Sequence, residues 1–103
     1  MSYRHTVIRH LIYGSLPEFL QLQRRKNDVL AGAGLVPYAV WAPAFGGMHH
    51  MTLEARFPTM AAFEEQHLAT KTIPEIATIN ERQLELTIVG TAADALQRIA
   101  LEP

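Results

Sequence analysis

Leu35-Val36-Pro37-Tyr38-Ala39-Val40-Trp41-Ala42-Pro43 is the stretch that decides how this chain folds. Its β-branched and aromatic residues suit a pleated strand. Val36, Tyr38, Val40 and Ala42 fall on one face, and Leu35, Ala39 and Trp41 on the other, so both faces are apolar. Pro37 and Pro43 sit on the same side of the two-residue repeat. A strand that lacks those N–H donors belongs at the edge of a sheet.

The neighbouring segments supply the rest of the sheet. Downstream, Ala44 to Gly47 reads as a hairpin turn around Gly46-Gly47, and Met48 to Phe57 as the strand that follows. Upstream, Gly32 and Gly34 end a helix that starts at Ser15-Leu16-Pro17-Glu18, where Ser15 can cap and Pro17 suits the first turn. Leu16, Phe19, Leu20, Gln23, Asn27 and Leu30 share one face of that helix. Before it, Tyr3 to Tyr13 reads as the first strand. After Phe57, Thr59 caps a second helix whose inner face carries Met60, Phe63 and His67. Thr72-Ile73-Pro74-Glu75 then starts a short helix with Ile76 and Ile79. Leu84 to Val89, closed by Gly90, reads as the last strand, and Thr91 to Asp94 as the cap of a final helix along Leu96, Ile99 and Ala100.

The expectation is an α+β domain over residues 1–103, ferredoxin-like in its β-α-β-β-α-β order with an antiparallel sheet. An extra short helix precedes the last strand and a C-terminal helix follows it. The composition agrees with one folded domain: 103 residues, 49% hydrophobic and 18% charged, with a net charge of −1. That balance gives no reason to expect nucleic acid or an anionic membrane as a partner. The absence of cysteine excludes disulfides and thiolate chemistry. With no signal peptide and no run long enough to span a bilayer, a cytoplasmic location is expected.

Helices cover one face of such a sheet, and the other keeps Trp41 and its neighbours. Leaving a large apolar side chain in water forgoes about 1.5–3 kcal/mol, so a second copy is expected to cover that face as a homodimer, with further assembly left open. The third strand points Met48, His50, Thr52, Glu54 and Arg56 to one side, and His49, Met51, Leu53, Ala55 and Phe57 to the other. The second set reads as core beneath the helices. The first set would face the space between paired sheets, where a small-molecule ligand could lie among a few polar groups. The competing reading makes Glu54 a structural ion pair, with Arg56 or with an arginine of the first strand.

Proton transfer in such a cavity would fall to His50 and Glu54, with His10 or His67, while Arg56 or Arg9 would hold an anionic oxygen and Tyr38, Trp41 and Thr52 would contact the ligand. No metal site is expected. His49 and His50 point to opposite faces, as do His5 and His10, and no His-x₃-His spacing occurs. No cofactor is expected either.

Gly34 to Trp41, the Gly46-Gly47 loop, Met51-Thr52-Leu53-Glu54-Ala55-Arg56-Phe57 and the helix from Thr59 together resemble the dimeric α/β-barrel superfamily, and within it small NIPSNAP-type domains. The resemblance implies a homodimer whose sheets pack face to face with a cavity in each half. Many relatives use such cavities for oxygenation, isomerisation or cyclisation without a cofactor, whereas most NIPSNAP-type relatives have no assigned reaction. No residue role is carried over. Two readings stand: a cofactor-independent enzyme of isomerase, cyclase or monooxygenase type acting on a small apolar or aromatic metabolite, and a non-catalytic ligand-binding or assembly module whose polar strand face is structural. A haem-degrading relative is a third, against which the first strand's lack of asparagine counts.

Overall fold

The computed structural model describes residues 2–103. Strand β1 spans Tyr3–His10, helix α1 Leu16–Gly32, β2 Ala39–Trp41, β3 His50–Phe57, α2 Met60–Thr70, α3 Pro74–Glu85 and β4 Ala93–Arg98. The four strands form one antiparallel sheet in the order β2-β3-β1-β4. This is the ferredoxin-like α+β arrangement, with β2 at an edge between its flanking prolines as their missing donors require.

Local chemistry sets most boundaries. Helix α1 closes with a Schellman motif: Leu35 N–H donates to the Leu30 carbonyl at 2.8 Å and Gly34 N–H to that of Ala31 at 3.1 Å. Gly34 adopts φ 74°, which that motif demands and which a side chain resists. Thr59 caps α2, its hydroxyl accepting from Ala62 N–H at 3.0 Å. Ser15 stands at the N-cap of α1, but its side chain makes no capping bond, and Glu18 turns away to Arg82, 2.6 Å distant.

Strand β3 alternates as expected. Met51, Leu53, Ala55 and Phe57 are buried toward the helices, while Thr52, Glu54 and Arg56 lie on the uncovered face. Phe19 from α1, Leu11, Met51, Leu53 and Leu86 form the core, with Tyr38 and Val40 packed against it. Each large apolar side chain buried there contributes about 1.5–3 kcal/mol.

The C-terminal third departs from expectation. Helix α3 is not short: it runs to Glu85 and absorbs the start of the segment expected as the last strand. Ile76, Ile79, Gln83 and Leu86 keep a helical period along its buried side, and this continuity outweighs the strand preference of Leu86-Thr87-Ile88-Val89. Those residues instead extend the end of β1, through a bridge from Leu11 to Thr87 and a bond from Ile88 N–H to the His10 carbonyl at 2.8 Å. The expected C-terminal helix is strand β4. Gly90, at φ 84°, turns the chain back, and residues 93–98 pair with the free edge of β1. An unpaired edge beside a central strand exposes a row of backbone groups, and filling it overrides the helical preference of Ala92, Ala93, Ala95 and Leu96.

Candidate active site

Residues of β1 alternate between the two faces of the sheet, so His5, Val7 and Arg9 point toward the helices. Directly across on β4, Asp94 stands opposite Val7, between His5 and Arg9. Helices α1, α2 and α3 arch over this part of the sheet and leave a cavity of about 690 Å³. That volume suits a small metabolite. Phe19, Leu30, Leu53, Phe57, Phe63 and Ile76 give it apolar walls.

One chain of polar groups crosses those walls. Tyr38 Oη lies 2.5 Å from His5 Nδ1. His5 Nε2 lies 3.5 Å from Asp94 Oδ2, and Arg9 Nη1 donates to Asp94 Oδ1 at 2.9 Å. The His5 ring first, and then the Arg9 guanidinium, hold the Asp94 carboxyl down at about 2 against the opposing effect of burial. With Asp94 ionised, a neutral His5 would carry its proton on Nε2, facing that carboxylate, and leave Nδ1 to accept from the Tyr38 hydroxyl. Burial, with the Asp94 charge adding to it, pushes the Tyr38 phenol up to about 12. Tyr38 therefore keeps its proton at neutral pH and shares it with His5. Phe63 packs edge-on against the His5 ring at 5.1 Å and stacks with His67 at 5.9 Å, fixing one side of the cavity.

Tyr38 is positioned by a chain of side-chain amides that starts at the buried Gln83 and Gln23 and ends at the half-buried Asn27. Gln83 Nε2 donates to Gln23 Oε1 at 3.0 Å, and Gln23 Nε2 to Asn27 Oδ1 at 3.0 Å. Asn27 then brackets the Tyr38 backbone, donating to its carbonyl at 2.8 Å and accepting from its N–H at 3.0 Å. Gln66 does the same for Val36, with bonds of 2.7 and 2.8 Å. The irregular segment before β2 is thus tied to α1 and α2 by side chains that satisfy its backbone groups.

Of the residues expected to form a site, Tyr38, Arg9 and His67 line this cavity. His67 lies at its mostly exposed rim, and the buried residue of α2 is Gln66, not Met60 or His67. His10, His50, Thr52, Glu54, Arg56 and Trp41 lie on the opposite, uncovered face of the sheet. There His10 and His50 stack with ring centroids 3.6 Å apart. Glu54 is held by Arg56 at 3.3 Å and by Arg4 at 3.8 Å, as the ion-pair reading of that residue anticipated. Trp41, 61% exposed, stands opposite Thr52.

His5, Asp94 and Lys26 were missed. The parity of His5 with Val7 and Arg9 was the available signal for the first. Asp94 had none, because only its placement on β4 aims it inward. Among the described residues no three metal-ligating side chains come together, and no helix is long and apolar enough to cross a membrane.

No protein-family model matches the chain, and no curated protein matches it in sequence. Solved structures do match in fold. A NIPSNAP family protein from Agrobacterium tumefaciens superposes with a TM-score of 0.76 at 11% identity, covering 95% of this chain and 92% of its own. A NIPSNAP domain protein from Burkholderia xenovorans gives 0.76 at 12% identity, covering 98% of each chain. An antibiotic biosynthesis monooxygenase gives 0.73 at 13% identity, over 96% of this chain and 99% of that one. At such identities the likeness is one of fold, and the fold is that of a NIPSNAP-type ferredoxin-like domain.

Proposed function

We propose that this chain is a cofactor-independent enzyme that moves a proton on a small aromatic or apolar metabolite bound between its sheet and its helices. The observation that carries the reading is the Tyr38–His5–Asp94 chain opening into an apolar cavity. A substrate C–H or O–H gives its proton to Tyr38 Oη as Tyr38 passes its own to His5 Nδ1. The electron pair of the broken bond stays on the substrate as an enolate or phenolate. The imidazolium that forms faces the Asp94 carboxylate, an attraction of about 4 kcal/mol at an effective dielectric of 20 against about 1 in bulk water. Positioned proton transfer of this kind supplies about 10²- to 10⁴-fold of rate.

Return of the proton to a different atom makes the reaction an isomerisation. Attack of the enolate on an internal carbonyl makes it a cyclisation. Addition of dioxygen to the carbanion makes it an oxygenation, the class named for one of the structural neighbours. The common step is the one to test. Enolisable aryl ketones and naphthols incubated with the protein in D₂O are expected to lose C–H signals by NMR faster than with His5→Gln. Equal rates would remove the proposal.

A homodimer through the open face of the sheet belongs to the same reading. Trp41 and Ile8 are 61% and 38% exposed there, and burying what remains of both against a second copy would gain about 1.5–3 kcal/mol. The paired state of Glu54 supports a structural role for that face, with the chemistry on the other side.

A further inference from the structure

Helix α1 sends a stripe of four side chains into the cavity: Phe19, Gln23, Lys26 and Leu30. Phe19, Gln23 and Leu30 are almost fully buried. Lys26 is half-buried among them, and its Nζ donates at 2.6 Å to a neutral acceptor, Asn80 Oδ1. Arg4, Arg9, Arg25, Arg56 and Arg82 each have a carboxylate partner. Lys26 has none in ion-pair range among the described residues; Arg24, Arg98 and Lys71 also have none, but Lys71 is exposed and Arg24 and Arg98 lie outside the cavity. Drawing an ammonium partly out of water with no carboxylate in contact is unfavourable: burial, with the Arg9 charge adding to it and the Asp94 charge offsetting only part, pushes this amine down to about 8. The cavity as a whole has the same imbalance. Arg9, Lys26 and Lys71 bring positive charge to it and Asp94 brings the one carboxylate, which Arg9 already engages.

We propose that the ligand of this cavity is an acid: an aromatic or apolar body between the helices and the sheet, with a carboxylate or equivalent anionic group seated on Lys26. The inference rests on the cavity being the ligand site and is independent of whether proton transfer occurs there. The ligand's charge supplies the partner that Lys26 lacks, and Asn80 holds the ammonium in place until it arrives. The apolar walls supply affinity, and the lysine supplies the choice between an acid and its neutral isostere.

Calorimetric titration with 2-naphthoate and with 2-naphthamide tests this, because the two differ in charge and hardly in shape. The acid is expected to bind about tenfold or more tighter than the amide at pH 7, the size of one hydrogen bond to a charged group. Lys26→Met, which keeps the apolar stem, is expected to remove that preference, Lys26→Arg to keep it, and Arg24→Gln, on the exposed side of the same helix and outside the cavity, to leave it unchanged. Equal binding of acid and amide to the unaltered protein overturns the inference, as does no binding of either or a preference that survives in Lys26→Met. A protein that prefers the acid but exchanges no substrate protons keeps this inference and loses the catalytic reading. One that exchanges protons without the preference does the reverse.

Discussion

His5 Nδ1 and Tyr38 Oη lie 2.5 Å apart, joining the central strand of the sheet to the segment that leads into its edge strand. The contact spans 33 positions of sequence. It exists because β1 turns His5 toward the helices and Asn27 fixes the backbone of Tyr38 from the other side.

Tyr38→Phe removes the hydroxyl and keeps the ring that packs on the core. Proton exchange on an enolisable substrate is expected to fall by about 10²- to 10⁴-fold. Stability should drop by only about 1 kcal/mol, the net worth of one hydrogen bond. Exchange rates and urea midpoints on the same preparation check both halves.

Asn27→Leu leaves the N–H and the carbonyl of Tyr38 without partners at a half-buried position. A loss of about 1–3 kcal/mol is expected from the unsatisfied groups. Exchange activity should fall with it, because Tyr38 loses its fixed position. If activity per folded molecule stayed at the unaltered level, Asn27 would be structural only.

The Asp94 carboxyl, held at about 2 in the folded chain, has an ordinary value of 3.8. A depressed value means the folded state favours the ionised form. That contribution is present above about pH 4 and is lost as the pH falls from about 4 to about 2. Asp94→Asn should therefore show a flatter stability curve through this window than the unaltered protein, by thermal melting at half-unit steps. Half of the Asp94 side chain is exposed, so solvent screens the difference and it should be small. A steeper curve in the variant would contradict the assignment.

Trp41→Glu puts a charge on the uncovered face, away from the cavity. Analytical ultracentrifugation at micromolar concentration is expected to show the unaltered chain as a dimer and the variant as a monomer. An unaltered chain that sediments as a monomer would overturn the assembly and leave the cavity argument standing.

From Ser2 to Thr70 the order of elements is legible from periodicity, because each device there is local, although Ser15 does not cap α1 and α2 buries Gln66 rather than Met60 or His67. The two-residue alternation of β3 and the prolines flanking β2 fixed faces and edge without knowledge of distant contacts. Beyond Pro74 the local signals misled. Leu86 to Val89 has the composition of a strand, yet it caps a helix and props the end of β1. Ala92 to Leu96 has the composition of a helix, yet it fills the empty edge of the sheet. Both outcomes depend on where β1 lies, which is long-range information. The same cause hid the site. Tyr38, Arg9 and His67 were found as chemically able residues, but Asp94 faces the cavity only as part of β4, and without it the polar residues of β3 looked like the better centre. Gln23 and Asn27 gave a usable hint, two amides on an otherwise apolar helical stripe, where burial requires partners.

A crystal structure of the protein grown with 2-naphthoate tests the central claim most directly, since it asks on which side of the sheet a ligand lies. The account predicts density among α1, α2 and the strands β1 and β4, with the naphthalene ring within contact of Tyr38 and His5 and the carboxylate on Lys26. Density between two copies of the sheet, against His50 and Thr52 and with the cavity beneath the helices empty, would contradict it.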